Sequence, residues 1–600
     1  MFFSAYLGTD AGLPVWRDAV VQHARWLGLR ARIEMRPVSD GRTLSLGWLE
    51  HAVAAGSRGG LEETEQQIVA STLVPDGGAL DGDANAATLT ASLSRAEIRV
   101  AIPPTSPQQF CYARTRHGTV FADDLRLFPR LMSVDVDERA AYALLRYGAI
   151  PAPLTLYTQV QRIPNGHLFR LPPAGEPECT PMFQLTDLRD RNGGMPQPDT
   201  RVSDALDAAL ARVPGSTVLY FSGGVDSALL AARLRRLGRN DVRLVNYSFG
   251  PDDEESRLAL RVASHFGLEC HQIRHDVRKV GDVLERVGTD YSFPFGDISA
   301  IPTNILVHEA LPFAGESRTV LEGTGADGAF GLGAEYGRWQ RAYGIPRPLR
   351  RWADAAYRGL QLWKYNSLLE RAGRLLSRSA RLPVGHAFVA QNAFEDIAYA
   401  TPQNVQAELE RAVQSIEAMS SGTEARDQLS WLDLVWVCAG RMAPKSFDPL
   451  RARGIRPLYP FLQPAVVSVS SSLSWDEKCT AGESKALLKR LLARDIPPEL
   501  VYRRKIGFTR PAHATFALPA VQQFLHEVVL SRHNVLLDYC RPDVVRQLVE
   551  RSPHRVLGAS AYSFLWVLMF SSGWLRQSVT GPDRASPRGV DVAYGAAGRC

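Results

Sequence analysis

Cysteine pairs, basic runs and long apolar runs are all scarce in this chain, and each scarcity closes a class of function. The seven cysteines (Cys111, Cys179, Cys270, Cys438, Cys479, Cys540 and Cys600) stand far apart without a CxxC pair, so the sequence offers neither a zinc site nor a disulfide framework. A reducing cytoplasm is the expected location. The formal net charge of +6 is spread over 600 residues with no Lys/Arg block, and nucleic acid is not an expected partner. The most apolar run, AYSFLWVLMFSSGWL at 561–575, falls short of the ~20 residues a membrane helix needs, so a buried core helix is expected and no membrane partner. The opening MFFSAYLGTDAG has no basic segment and meets Asp10 before an apolar core is complete, unlike a secretory signal. No GxxxxGK[ST] phosphate loop occurs anywhere.

What is present is the composition of an ordinary globular protein, 45% hydrophobic and 22% charged, long enough for two to four domains on the usual ~100–200 residues each. Before residue 170, strand-like pieces such as GTVFADD and TLYTQVQRI flank one helical stretch, DERAAYALLRYG at 137–148. Residues 171–200, rich in Pro, Gly and charge, read as a linker. After it, DALDAALARV, TVLYF, ALLAARLRRLG, VRLVNYSFG and ESRLALRVASHFG alternate helix and strand patterns, which predicts βαβ units and a parallel sheet. From about 400 the pattern is mostly helical, and the end, 579–600, reads as a disordered tail.

The stretch VLYFSGGVDSALLAARL places Ser222, Gly223, Gly224, Asp226 and Ser227 at a strand-to-helix turn. Unpaired backbone N–H groups point outward there, and the two glycines let an anion approach the main chain. No lysine sits in the turn, so Asp226, as a ligand of Mg²⁺, is the expected means of balancing a polyphosphate. A second apolar strand, TVLEG, runs into EGTGADGAFGLG, where Asp327 would add a second carboxylate to the same ion. Each turn taken alone is also compatible with an ordinary tight turn carrying a capping Asp.

SGGVDS resembles the pyrophosphate signature of ATP pyrophosphatases, which adenylate a substrate and leave open several chemistries, tRNA thiolation among them. DISAIPTNILVHEAL, RMAPKSFDPLRARGIRPLYPFLQPAVV and ESKALLKRLLARDIPPELVYRRKIGFTRP follow in order, and with the two turns they resemble the synthetase domain of the asparagine synthetase superfamily. Upstream, VFADDLRLF and YGAIPAPLTLYTQVQRIPNGHLFRL resemble the second half of its glutaminase-type domain. The resemblance runs from roughly 115 to 575. It implies an α/β protein: a degenerate glutaminase-like (Ntn-type) α+β sandwich at 1–170, the linker, and a doubly wound parallel-sheet synthetase domain with a helical C-terminal part at 201–578. It implies further that Phe221, Phe249 and Gly323 border the adenosine of ATP. Ser222, Gly223, Gly224 and Ser227 would hold pyrophosphate, and Asp226 and Asp327 would ligate Mg²⁺. Lys505 would steady the charged intermediates, although a lysine between arginines otherwise reads as a solvated face.

Two departures redirect the expectation. Glutamine-using members of the superfamily begin, after Met, with a nucleophilic cysteine, and here residue 2 is Phe2. Hydrolysis of glutamine by that route is not expected, so the amine must come with the substrate. Thr324 stands where asparagine-forming members have an acid, which marks a changed acceptor site and makes Thr324 a candidate catalytic residue. The resemblance is nearest to the lasso peptide cyclases, whose expected reaction joins an Asp or Glu side chain of a precursor peptide to its own N-terminal amine at the expense of ATP. A peptide-recognition protein and a leader peptidase are the partners this implies. The alternatives are a β-lactam synthetase or other adenylating synthetase on a small amino acid, an asparagine synthetase, and a catalytically dead scaffold.

Overall fold

The computed structural model describes residues 2–38, 41–50, 61–63, 67–71, 87–92, 95, 97–172, 175–182, 184–189, 197–331, 333–390, 393–480, 483–503, 512–554 and 556–580. The N-terminal part holds two antiparallel six-stranded sheets. The first runs in the order Gln161–Ile163, Phe110–Thr115, Gly118–Ala122, Phe2–Gly8, Thr43–Glu50, Arg30–Pro37. In strand Phe2–Gly8 the side chains alternate between faces. Phe3, Ala5 and Leu7 enter a core shared with Leu89, Ile98, Val100 and Phe169 of the second sheet, while Phe2 and Tyr6 pack in another core with Trp16 and Val20 of helix Leu13–Trp26. Helix Glu138–Tyr147 forms where its periodicity predicted, capped by Asp137 and ended by Gly148 in the left-handed region.

The stretch read as a linker does more than connect. Glu178–Pro181 pairs with His167–Leu171 as the edge of the second sheet, and Thr186–Arg189 is a helical turn. The flanking Pro and Gly obscured a strand that is exposed on both faces and so carries no apolar alternation. TLYTQVQRI likewise yields only the short strand Gln161–Ile163.

The C-terminal part is built on five parallel strands, β1 (Val218–Tyr220), β2 (Arg243–Ser248), β3 (Cys270–Arg274), β4 (Thr319–Leu321) and β5 (Arg456–Leu458). Their order is β3-β2-β1-β4-β5. The chain therefore moves outward from β1 in one direction and then starts again on its other side with β4. That reversal leaves a crevice at the C-terminal ends of β1 and β4, where ligands bind in open α/β sheets. β5 was not anticipated, because three residues between a helix and a Pro-rich turn give no pattern to read.

Helix Ala559–Thr580 contains the most apolar run, and Phe564, Leu565, Val567, Leu568 and Met569 are wholly buried. Among the described residues no helix is long and apolar enough to cross a membrane. The two parts are stitched by buried polar contacts: Arg451 pairs with Asp123, Thr105 Oγ1 donates to the Leu462 carbonyl at 2.6 Å, and Arg126 donates to the Thr289 carbonyl at 2.7 Å. The Arg451 guanidinium also lies 4.6 Å above the Phe2 ring, so the side chain at position 2 serves the domain junction.

Candidate active site

β1 ends at Tyr220, and helix Val225–Arg236 begins five residues later with Gly224 as its cap. The turn between them is specified by glycine for two separate reasons. Gly223 has φ +67°, and a Cβ on it would lie 2.6 Å from the backbone of Ala259 in helix Glu254–Phe266. The Ser222 hydroxyl accepts from the Gly224 N–H at 3.2 Å and sits 3.3 Å from the Ser227 hydroxyl, closing the turn on itself. Gly224, Asp226 and Ser227, at the start of helix Val225–Arg236, line the crevice, and a helix N-terminus opening on a cavity is a seat for an anion.

The second turn follows β4 and packs on the first: a Cβ on Gly323 would come within 3.0 Å of the Asp226 Cβ. Gly325, at φ +107°, admits the chain into helix Ala326–Phe330, whose first turn carries Asp327. One open cavity of ≈ 690 Å³ is lined by Phe221, Ser222, Gly224, Asp226, Ser227, Phe249, Gly323, Thr324 and Asp327. Gly223 completes the turn from behind, its carbonyl accepting from Arg503 at 3.1 Å. Every residue assigned from sequence to ATP or to the metal therefore falls at one place. Phe221 is almost fully buried at the end of β1, whereas Phe249 packs at the rim, 5.4 Å from the Tyr247 ring. Lys505 lies outside the described residues.

A residue that sequence reasoning passed over stands at the centre of this geometry. Lys485 extends its ammonium to 2.7 Å from both oxygens of Asp226 and 2.5 Å from Asp327 Oδ1. Burial opposes the charge on this lysine, but the two carboxylates outweigh that penalty and lift its pKa. Its backbone adopts φ +57°, an unfavourable conformation for a side chain with a Cβ, at the cap of helix Ala486–Leu492. The turn has no lysine of its own because one arrives from 259 residues away. The signal for it was a balance of charge: two acids and an expected polyphosphate require a cation, and ESKALLK supplies one.

Asp226 and Asp327 converge on a single point, which their shared bond to one ammonium demonstrates. Two carboxylates with open space beside them are a donor set suited to Mg²⁺, which takes one or two carboxylates and completes its shell with water or phosphate oxygens. Among the described residues no group of three or more His, Cys, Asp or Glu forms a cage for a metal, so the rest of such a shell would come from the ligand. The cavity is also bordered by Lys445, whose ammonium contacts Asp297 at 3.1 Å and the Ser299 hydroxyl at 2.6 Å. In the same lining Glu322 accepts from the Thr324 hydroxyl at 2.5 Å and from Ser446, the residue that follows Lys445.

Residues 201–576 match the family described as asparagine synthase. A protein of Mycobacterium tuberculosis (strain ATCC 25618 / H37Rv), named "Putative asparagine synthetase" and glutamine-hydrolyzing, is 25% identical over 80% of this chain and 74% of its own. A glutamine-hydrolyzing asparagine synthetase of Bacillus subtilis (strain 168) is 22% identical over 63% of this chain and 60% of its own. A solved glutamine phosphoribosylpyrophosphate amidotransferase from B. subtilis aligns with 54% of this chain and 81% of its own at 9% identity, with a TM-score of 0.21 too low to carry an argument. With well over half of its length matched and the two acidic turns facing each other across Lys485, the chain belongs to the asparagine synthase family of ATP-dependent, amide-forming ligases.

Proposed function

We propose that this ligase closes a lactam ring within a peptide, as in the lasso peptide cyclases, by activating an Asp or Glu side chain with ATP and joining it to the peptide's own N-terminal amine. The observation that carries the reading is the state of the thiols in the N-terminal part. Among the described residues these are Cys111, wholly buried with its thiol pKa pushed far up by desolvation, and Cys179, which stands in solvent on the edge strand Glu178–Pro181. The first is sealed from any substrate and the second lies on an open sheet edge, so neither is built as an activated thiolate. A glutaminase-like sandwich without a competent thiol delivers no ammonia, so the amine enters with the substrate.

The carboxylate attacks the α-phosphate, pyrophosphate departs into the seat formed by Ser222, Gly223, Gly224 and Ser227, and the amine then displaces AMP from the acyl carbon. Mg²⁺ held by Asp226 and Asp327 would supply electrostatic stabilisation of the phosphates. Lys485 neutralises the two acids beside the leaving group, and Lys505 is assigned to the negative charge that develops at the reacting centre. Enclosure protects the adenylate from water, and holding amine and acyl carbon together can lower the barrier by several kcal/mol, up to ~7–11 in the best-oriented cases. A peptide-recognition protein and a leader peptidase, working in the cytoplasm, complete the proposal.

The relatives, named as glutamine-hydrolyzing asparagine synthetases, favour a second reading, an asparagine synthetase, glutamine- or ammonia-dependent, and a β-lactam synthetase acting on a small amino acid would use the same adenylation. One experiment separates the three. The enzyme, Mg-ATP and the linear peptide encoded by a short reading frame beside its gene should give a product lighter by one water, with one AMP and one pyrophosphate per ring. Turnover of aspartate or a small amino acid, with the peptide left intact, refutes the macrolactam reading.

A further inference from the structure

Amide formation leaves a chemical demand that the residues assigned so far do not meet. A primary amine that attacks an acyl carbon must give up a proton, and Asp226 and Asp327 are already bound to the Lys485 ammonium. Asp253 caps helix Glu254–Phe266, and Asp297 holds Lys445. Asp252 and Glu254 are exposed at the rim, and the half-buried Glu255 beside them faces the Arg503 guanidinium.

Glu322 differs from all of these. It follows β4 directly, and its backbone N–H donates to the Leu458 carbonyl at the end of β5, at 3.0 Å. Its two carboxylate oxygens accept from different hydroxyls, Oε1 from Thr324 at 2.5 Å and Oε2 from Ser446, which in turn lies 2.9 Å from the Tyr459 hydroxyl. Among the described residues no cation pairs with it. Beside it the Tyr220 hydroxyl, on a residue only 7% exposed, is buried and has no hydrogen-bond partner among the described residues, and Glu322 adds to the burial that raises its pKa. Tyr220, Glu322 and Thr324 all line the cavity shared by the two turns. A fixed carboxylate with no cation on it, and a hydroxyl without a partner beside it, both among the described residues, are chemistry that receives an amine.

We propose that Glu322, positioned by Thr324 and Ser446, is the general base that takes the proton of the attacking amine. This rests on the amide-forming function proposed above and locates the acceptor half of its site. The amine enters as the free base, about a tenth of an α-amine at neutral pH. Its lone pair forms the new C–N bond, the C–O bond to the phosphate of AMP breaks with its electron pair leaving on AMP, and the N–H proton passes to the Glu322 carboxylate. Glu322 then returns that proton to water.

The test separates adenylation from amide formation in Glu322→Gln. The wild type is first given Mg-ATP with the linear peptide and, separately, with L-aspartate plus ammonium chloride, and the pair it joins is then used for the variant. Glu322→Gln should keep ATP–pyrophosphate exchange within about threefold, and added hydroxylamine, a nucleophile already neutral at this pH, should still trap the acyl group as a hydroxamate. Amide product should fall about 10²-fold or more. Glu322→Asp should recover part of that loss, and the same split is read on it should Glu322→Gln fail to fold. Amide formation within threefold of wild type overturns the proposal, as does a parallel fall of exchange and amide in a variant with an unchanged thermal midpoint. A wild type that joins aspartate but not peptide refutes the macrolactam reading while the role of Glu322 is still decided. A wild type that joins neither overturns both.

Discussion

Replacing Lys485 by Met removes one ammonium and leaves two carboxylates facing each other. At 2.7 Å and an effective dielectric constant of ~20, each ion pair is worth about 6 kcal/mol before the cost of desolvation. Burying three charged groups cancels much of that, so the net loss resembles that for one partner of a buried pair, about 3–5 kcal/mol. With ~2.1 cal/mol/K of unfolding entropy per residue over residues 201–576, the thermal midpoint should fall by roughly 4–6 °C. Mg²⁺ should restore more stability to Lys485→Met than it adds to the wild type, because the variant offers a stronger cation site. Lys485→Gly should lose about 1 kcal/mol less than Lys485→Ala, since φ +57° is unstrained only for glycine. Calorimetry of the four proteins with and without Mg²⁺, alongside pyrophosphate release, reads all of this. A Lys485→Met enzyme that melts within about 1 °C of wild type, gains nothing extra from Mg²⁺ and keeps its turnover would refute the reasoning.

Gly223→Ala should weaken ATP binding and lower the melting temperature together, because the new Cβ meets the Ala259 backbone at 2.6 Å in a positive-φ position; unchanged ATP titrations would contradict this. Lys505→Ala should lower turnover by ~10²–10³ with a smaller change in ATP affinity, checked by steady-state and binding measurements, and Lys505→Arg should not rescue it. His23 is buried with its pKa lowered to about 4, chiefly by desolvation; its Nε2 contacts Asp124 at 2.8 Å and its Nδ1 has no partner, as suits a neutral ring. Because the unfolded His titrates near 6.5, the unfolded state takes up more protons between pH 6.5 and 4. The stability this group contributes is therefore present above that window and lost as pH falls through it, by about 3 kcal/mol in all, and His23→Gln should flatten that part of the pH–melting curve.

What was legible in the sequence was local. The strand-turn-helix units at 218–236 and 319–330 announce themselves because an apolar run, glycines that positive φ or close approach demands, and an acid in the first helical turn all fall within about twenty residues. Order along the chain then identified the superfamily. Lys485 and Ser446 were illegible for the same reason: each reaches its partner across more than a hundred residues, and only the strand order β3-β2-β1-β4-β5 tells where β4 and its turn will lie. Glu322 was in plain view in EGTGADG, but the acid missing at Thr324 drew attention away from the acid two residues earlier, which the Thr324 hydroxyl holds. Phe2 read as a lost nucleophile. Its place beneath Arg451 gives it a structural role that no local pattern encodes.

The central claim is that the substrate carboxylate is activated as an adenylate between the turns of Asp226 and Asp327. Labelling that carboxylate with ¹⁸O and analysing the products by mass spectrometry tests it directly, since attack on the α-phosphate carries one substrate oxygen into AMP. The account predicts one ¹⁸O in each AMP formed, none in pyrophosphate, and loss of both the label and the turnover in Asp226→Ala. Label appearing in inorganic phosphate with ADP as co-product, or unlabelled AMP accompanying amide formation, would contradict it.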